Sequence, residues 1–384
     1  MSRFGRALRT EAREVLADRG ALLILVGAVV VYAFFYPTPY LNEVLKKVPV
    51  VVADLDHSAL SRQLTRMADA SERIAVTAVV ADVVEGERRV RDGGAGGLLV
   101  IPDGFERKVR RGEPVAVGAF ADASYFLVYS QVLTGLLESA GTLSAGISIT
   151  RLGASGVRRT QALALVDPVP LLFRPLFNPA EGYAVYIVPA VLILILQQTL
   201  LIGIGMRGPA PAADGGGPAS KFGEALAVVL GRGAVFLALG LANLFFYLAV
   251  VEGVFGFPRR GSPVVLTLFA LPFLTATAAL GLALTTFFTR RETAMQVLLV
   301  TSLPAVFLAS FSWPPEAIPG WVRGLSAVLP TSAAIPGFLR INQMGASLAQ
   351  VRGEWAALWI LVAVYVPLAA WLQLRHWRKA APAP

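Results

Sequence analysis

Few side chains in this sequence are equipped for covalent or proton-transfer chemistry. It has no cysteine, so disulfides and thiolate metal sites are both outside its repertoire. Its two histidines, His57 and His376, stand near opposite ends of the chain. Neither zinc-ligand spacing nor a Ser/His/Asp constellation can be read around them. A phosphate-binding loop needs a lysine directly after a glycine, so that backbone amides and ammonium share the phosphates. The lysines are Lys46, Lys47, Lys108, Lys221 and Lys379, and none follows a glycine. The chain therefore has no P-loop, and no cofactor or metal of its own is expected.

The best pair of carboxylates is Asp54 and Asp56, which end the apolar run Val50-Val51-Val52-Ala53. This stretch resembles the strand and Asp-x-Asp turn of haloacid-dehalogenase-type phosphatases. In that family the first Asp is a nucleophile and the second an acid/base. The resemblance also implies a later lysine, which Lys108 nominally supplies, and a late acidic pair for magnesium, which the domain lacks. A strand-to-helix turn in which Asp56 or Ser58 caps the next helix accounts for the same residues more simply.

Inside the apolar runs polar groups are scarce. Gln197, Gln198, Asn243 and Gln296 either line a translocation path or hydrogen-bond neighbouring helices. Glu252 lies near the outer end of a run, either as an interfacial carboxylate in water or as a pathway group. An ion-coupled carrier would place ionisable residues at the midplane, and here they are missing.

The composition says what must position these groups. Of 384 residues, 55% are hydrophobic and 15% charged, with mean hydropathy +0.64. A soluble chain would carry about a quarter charged residues, so this is an integral membrane protein. The pI near 10.1 does not mark a nucleic-acid binder, which would need a basic domain face. Residues 37–182 carry 16 Lys+Arg and 16 Asp+Glu. The positive excess lies instead in short segments beside apolar runs, the positive-inside pattern.

Six spans are expected, at 21–36, 183–206, 233–251, 264–288, 294–311 and 355–374, with both termini cytoplasmic. Residues 1–20 alternate arginines with Phe4, Leu8, Val15 and Leu16 and read as an amphipathic cytoplasmic helix. The first run ends in Phe34-Phe35-Tyr36-Pro37 rather than a small-residue cleavage site, so it is taken as a retained anchor. Residues 37–182 change to a soluble α/β pattern. Strands are expected at 50–53, 74–80, 97–101 and 115–120, helices at 58–70, 82–92 and 104–111, and a long helix from 125 to about 151. Following one outward crossing, this domain is expected to be extracytoplasmic.

Between the second and third spans, residues 207–232 form a cytoplasmic loop. Its first part, 208–218, reads as a flexible Gly/Pro/Ala linker. Its second part reads as a short amphipathic helix, with Ser220 as N-cap, Phe222, Leu226 and Val229 on one face, and Gly231 as a stop. After the fifth run, residues 312–354 hold Trp313, Pro314, Pro315, Glu316, Pro319 and Trp321, aromatic rings bracketing prolines as at a membrane boundary. The segment that follows is broken by Pro330 and Pro336, too short to span, and reads as an external re-entrant or interfacial cap. Residues 375–384 are a cytoplasmic tail.

Several of these stretches together resemble the permease subunits of type-2 ATP-binding-cassette exporters. They are Leu176-Phe177-Asn178-Pro179, Ser312-Trp313-Pro314-Pro315-Glu316-Ala317-Ile318-Pro319, Leu329-Pro330-Thr331 and Arg340-Ile341-Asn342-Gln343-Met344-Gly345-Ala346. The subgroup it looks like has a large extracytoplasmic domain between its first two spans. The resemblance implies a non-catalytic exporter half that moves an amphiphilic or hydrophobic substrate, with ATP and magnesium held by a separate ATPase subunit. It implies an elbow helix at 3–18 and a coupling element around Phe222, Glu224, Leu226 and Val229, with Arg290 and Glu292 as a second contact. A second permease, identical or paralogous, would complete the pathway, and subgroup members often use a membrane-fusion adaptor and an outer-membrane channel. The loop 207–232 departs from the subgroup in lacking an acidic-Gly-Thr pattern. The implied location is a bacterial inner membrane. A receptor or scaffold whose outer domain binds a ligand or protein is the alternative, although little cytoplasmic chain remains to relay a signal.

Overall fold

The computed structural model describes residues 2–41, 45–171, 175–178, 182–211, 221–309 and 317–380. They divide into two units, one made of Met1–Glu43 with Pro175–Pro384 and the other of Val44–Arg174. In chain order the first unit opens with α1 (Arg3–Ala17), α2 (Arg19–Leu22), a π-helical turn at Leu23–Gly27 and α3 (Ala28–Phe35). The second unit runs β1 (Val48–Asp54), α4 (Ala59–Asp69), β2 (Ile74–Val80), α5 (Val83–Arg91), β3 (Gly97–Ile101), α6 (Phe105–Arg111), β4 (Gly118–Ala121), α7 (Phe126–Ala154) and α8 (Arg159–Val166). The first unit then resumes with α9 (Tyr183–Arg207), α10 (Phe222–Gly253), α11 (Pro263–Thr285), α12 (Arg291–Val300), α13 (Ser302–Leu308), α14 (Gly320–Ser326), α15 (Pro330–Met344) and α16 (Arg352–Ala380).

The second unit is built around β1. Its valines alternate between two cores: Val50 and Val52 pack with Leu99, Ile101, Val132 and Leu136 on one face, while Val51 and Ala53 pack with Val80 and Leu98 on the other. A strand buried on both faces loses its polar alternation, which is why this run reads as continuously apolar. The sheet order is β2-β1-β3-β4, parallel except for β4, which pairs antiparallel to β3. Helix α7 lays Val132, Gly135, Leu136, Ser139 and Leu143 inward, a stripe at three- and four-residue spacing. It comes so close at β3 that a Cβ on Gly97 would strike the Val132 side chain and stand 2.8 Å from the Phe120 carbonyl. The expected strand at 115–120 begins only at Gly118; Val115 and Val117 pack half-buried at the core's edge instead.

Six helices among the described residues are long and apolar enough to cross a membrane: Arg19–Tyr40, Phe126–Ala154, Tyr183–Arg207, Phe222–Gly253, Pro263–Thr285 and Arg352–Lys379. Five of them cover expected spans; the other is α7. The expected span at 294–311 is not one helix, because it breaks at Thr301 between α12 and α13. The cause is local. The Thr301 hydroxyl turns back to the Leu298 carbonyl at 2.7 Å, and Pro304 has no N–H to offer the turn before it.

Within the first unit α9 is the central helix, buried along nearly its whole length, with α10, α11, α12 and α15 packed around it. Helices α14 and α15 meet at an 89° bend.

Candidate coupling face and membrane path

The charged face of the first unit is assembled by α1. Its buried residues are Ala7, Glu11 and Val15, at four-residue spacing along one side, and that side packs on α10. Leu16, expected on the apolar face, is exposed. Glu11 lies 2.6 Å from the Arg232 Nε and 3.3 Å from the Arg207 Nε. Glu14 pairs with Arg207 as well. Asp18 stands 3.6 Å from Arg207 and 3.1 Å from Arg291. One edge of α1 therefore ties together the end of α9, the start of α10 and the start of α12.

Asp18 also caps α2, accepting from the Ala21 N–H at 3.0 Å. That amide, followed by the Arg291 and Arg207 guanidiniums, holds its carboxyl below the ordinary range despite some burial. The three acids were not singled out in the sequence, where the arginines of the segment dominate. The readable signal was their own spacing, Glu11, Glu14 and Asp18 on one helical edge.

The coupling candidates lie in the first turns of α10. Phe222 is exposed, Glu224 and Leu226 are half-buried, and Val229 is buried. Glu224 accepts from the Lys221 N–H at 3.1 Å, satisfying one of the helix's orphan amides, and pairs with Arg3 at 3.2 Å. Gly231 does not end a short helix: α10 runs unbroken from Phe222 to Gly253. The glycine serves close packing, since a Cβ there would stand 2.6 Å from the Phe4 carbonyl and 3.0 Å from Ala7 Cβ. The accessible stripe is consequently Phe222, Leu226 and Leu230 rather than one that includes Val229. Ser220 lies outside the described residues, and the N-cap is Lys221.

The expected flexible linker is pinned where it begins. Gln373 accepts from the Ala210 N–H at 3.2 Å and donates to its carbonyl at 3.0 Å, and the Trp377 indole donates to the same carbonyl at 2.8 Å. Arg232 donates to the Gly208 carbonyl at 3.0 Å. Residues 212–220 lie outside the described residues. Arg290 and Glu292 are both exposed at the start of α12, while Arg291 between them turns to Asp18.

The four polar residues of the apolar runs do not converge. Gln197 is fully buried and its Oε1 accepts from the Thr331 N–H at 3.0 Å, so it caps the first turn of α15. Asn243 donates to the Leu25 carbonyl at 2.8 Å, inside the π-helical turn. Gln198 is buried, and its Oε1 has no hydrogen-bond partner among the described residues. Gln296 is exposed on α12 and lines nothing in the interior of this unit.

In the expected cap, Trp313, Pro314, Pro315 and Glu316 lie outside the described residues. Pro319 precedes α14, and Trp321 is exposed. Pro330 marks a break and Pro336 does not: α14 ends at Ser326, α15 begins at Pro330, and the pair bends by 89°, as a broken span or a re-entrant loop does. Pro330 opens α15, where no intrahelical N–H is needed, and Pro336 sits within it. Pro330, Thr331, Ala334, Ile335, Phe338 and Ile341 are buried, so α15 is embedded against α9, α11 and α16.

In the second unit, the Asp54 side chain is spent on its own turn. It accepts from the Asp56 and His57 amides at 3.1 and 3.0 Å and from the Ser61 hydroxyl at 2.7 Å. Ser58 caps α4, and Asp56 accepts from the Glu106 N–H at 3.0 Å. Burial alone would raise the Asp56 carboxyl, but the Ser58 hydroxyl and the amides opening α6 hold it below the ordinary value. Asp54 is only 4% exposed, with no room for a substrate to reach it, and the strand-to-helix turn accounts for the motif. No group of three or more potential metal ligands occurs among the described residues.

The family model for "ABC-2 family transporter protein" matches residues 19–208 and 222–371. No curated protein and no solved structure matches the chain.

Proposed function

The chain belongs to the ABC-2 transporter family, whose members are membrane permease subunits rather than enzymes, and from that premise we propose that it is the permease of an ATP-driven exporter. ATP and magnesium would sit on a separate ATPase subunit, and a second permease copy or paralogue would complete the path for an amphiphilic or hydrophobic substrate. The α/β unit would lie between the first two spans on the outer side of a bacterial inner membrane, with both termini inside, as a docking surface for an adaptor and outer-membrane channel. The segment around Trp313–Trp321 would close the path externally.

The observation that carries this reading is the continuity of α10. Its first turns expose Phe222 and Leu230 with Leu226 half-buried between them, its next turn is clamped by α1 through Glu11 and Arg232, and its remainder runs on into the bundle. A push on the exposed turn cannot be absorbed by a hinge at Gly231, because the helix has none there. Closure of the ATPase subunits would then tilt α10 together with α1, and α9 through Arg207.

Affinity capture of the tagged chain from native membranes in mild detergent, with mass spectrometry and an ATPase assay, tests the reading. A stoichiometric P-loop subunit that is lost on Phe222→Asp or Leu226→Asp is the expected result. A membrane complex recovered intact without any such ATPase overturns it.

A further inference from the structure

The segment that joins the sheet late encloses a cavity. Residues 113–117 run beside α4, α6 and α7 before β4 begins at Gly118, and the space between them measures about 410 Å³. Small-molecule sites occupy roughly 300–1,000 Å³, whereas voids in a packed core seldom exceed one water. Its floor is apolar: Leu64 of α4, Phe105 of α6 and Leu143 of α7, all buried. Val115 and Val117, half-buried, form one wall. Helix α7 supplies the other. Ala140, Ser144, Ile147, Ser148 and Arg151 line the space with Leu143, and their three- and four-residue steps keep them on one flank of the helix. From Ala140 to Arg151 that flank is about 16 Å long at 1.5 Å per residue.

The charges at the rim select the occupant. Glu113 and Arg151 are the charged residues of the lining, and both are exposed. Glu113 stands 4.0 Å from Arg111, so its charge is answered. The Arg151 side chain has no ion pair or hydrogen bond among the described residues. The Ser148 hydroxyl is spent on the Ser144 carbonyl at 3.0 Å. An apolar interior that opens beside a lone guanidinium suits a ligand with an apolar body and an anionic head. A guanidinium holds a carboxylate through two parallel N–H groups, and a space of this length takes one short chain.

We propose that this cavity binds a single-chain carboxylate amphiphile, its chain over Leu64, Phe105 and Leu143 and its head at Arg151. The site lies wholly within the Val44–Arg174 unit and does not depend on the permease reading.

The test uses the purified full chain in neutral detergent at pH 7, with a diazirine-bearing decanoate as photoprobe and mass spectrometry to identify the labelled peptides. Saturable labelling is expected on residues 113–117 and 140–151, displaced by decanoate below its micelle-forming concentration. Decanol should displace the probe about twofold to fivefold less well, the range for losing an exposed ion pair. Decylamine should do worse still, because its ammonium meets Arg151. Arg151 is exposed and unpaired, so its variants leave the fold intact. Arg151→Gln should weaken labelling by the same factor as decanol, Arg151→Lys should largely retain it, and Ala140→Phe, which puts a ring into the cavity, should abolish it. Labelling confined to residues outside the cavity, displacement by decylamine as good as by decanoate, or native labelling in both Arg151→Gln and Ala140→Phe would overturn the proposal. No ATPase takes part, so failure here leaves the permease reading standing, and failure to capture an ATPase leaves the site standing.

Discussion

Glu11 and Arg232 stand 2.6 Å apart, both nearly excluded from solvent, and join the N-terminal helix to the longest helix of the bundle. Desolvating two charges offsets much of their attraction, so the pair adds little to stability over a well-packed apolar pair. Removing one partner is another matter. Glu11→Met or Arg232→Met alone should cost about 3–5 kcal/mol, while the double change Glu11→Met with Arg232→Met should cost far less than the sum. Denaturant unfolding in detergent measures the cycle, and additive losses would mean that the two residues are not coupled.

Asp18 gives the same joint a pH dependence. Its carboxyl is held below the ordinary value of 3.8 by the Ala21 amide, Arg291 and Arg207. A depressed folded-state pKa stabilises above the unfolded value and loses that contribution as pH falls through the folded one. Stability should therefore be level from neutrality down to about pH 5 and then decline as acid protonates Asp18. Asp18→Asn should be less stable at neutral pH and should flatten its share of the acid decline. Thermal unfolding across this range decides it; an unchanged acid limb in the variant would rule out the contribution.

Gly231 carries the close approach of α1. In Gly231→Leu the new side chain meets the Phe4 carbonyl and Ala7, and such overpacking typically costs about 1–3 kcal/mol. The expected readout is local: faster tryptic cleavage at Arg9 and Arg13 as α1 lifts, with cleavage in the Val44–Arg174 unit unchanged. Protection equal to that of the native chain would show that α1 adjusts without leaving α10.

The sheet was legible in the sequence because its signal is local. Val50–Ala53 is apolar throughout and the three other runs are short and largely apolar, each with valine or isoleucine and bounded by a polar turn, so three of four strands begin and end close to where the pattern places them. Five of the six expected spans were legible for the same reason, as runs of apolar length, while 294–311 is broken at Thr301. The breaks were not. Gly231 reads as a stop in one dimension, but its lack of a side chain answers to Phe4, far away in the chain. Pro336 reads as a breaker, but α15 runs on through it. Pairing across the fold is likewise invisible: nothing near Glu11 announces Arg207 or Arg232, and nothing near Gln197 announces the amide of Thr331.

Asp54 separates a built turn from a catalytic one. Asp54→Asn keeps the shape but loses the charge that draws two amides and a hydroxyl together, and hydrogen bonds to charged groups are worth roughly 1.5–3 kcal/mol. The variant should lower the melting temperature while leaving capture of an ATPase subunit and any export intact. A phosphatase activity present in the native chain and absent from this variant would restore the enzymatic reading.

Gln197 is the sharpest case of a polar residue with two readings. Its Oε1 serves the Thr331 amide, a first-turn N–H that α15 cannot satisfy itself. Its own Nε2 has no hydrogen-bond partner among the described residues. A residue that lines a path would tolerate Gln197→Leu structurally and lose transport; a cap would lose stability first. Leucine leaves the buried Thr331 amide without a partner, at a cost of about 1–3 kcal/mol, and the loss falls on the first turn of α15. Hydrogen exchange should therefore accelerate over residues 331–335 in Gln197→Leu while α10 and α11 keep their protection. Gln197→Glu retains an acceptor, so it should keep the slow exchange that the leucine variant loses. If both variants exchange like the native chain, the cap is dispensable and the path reading gains.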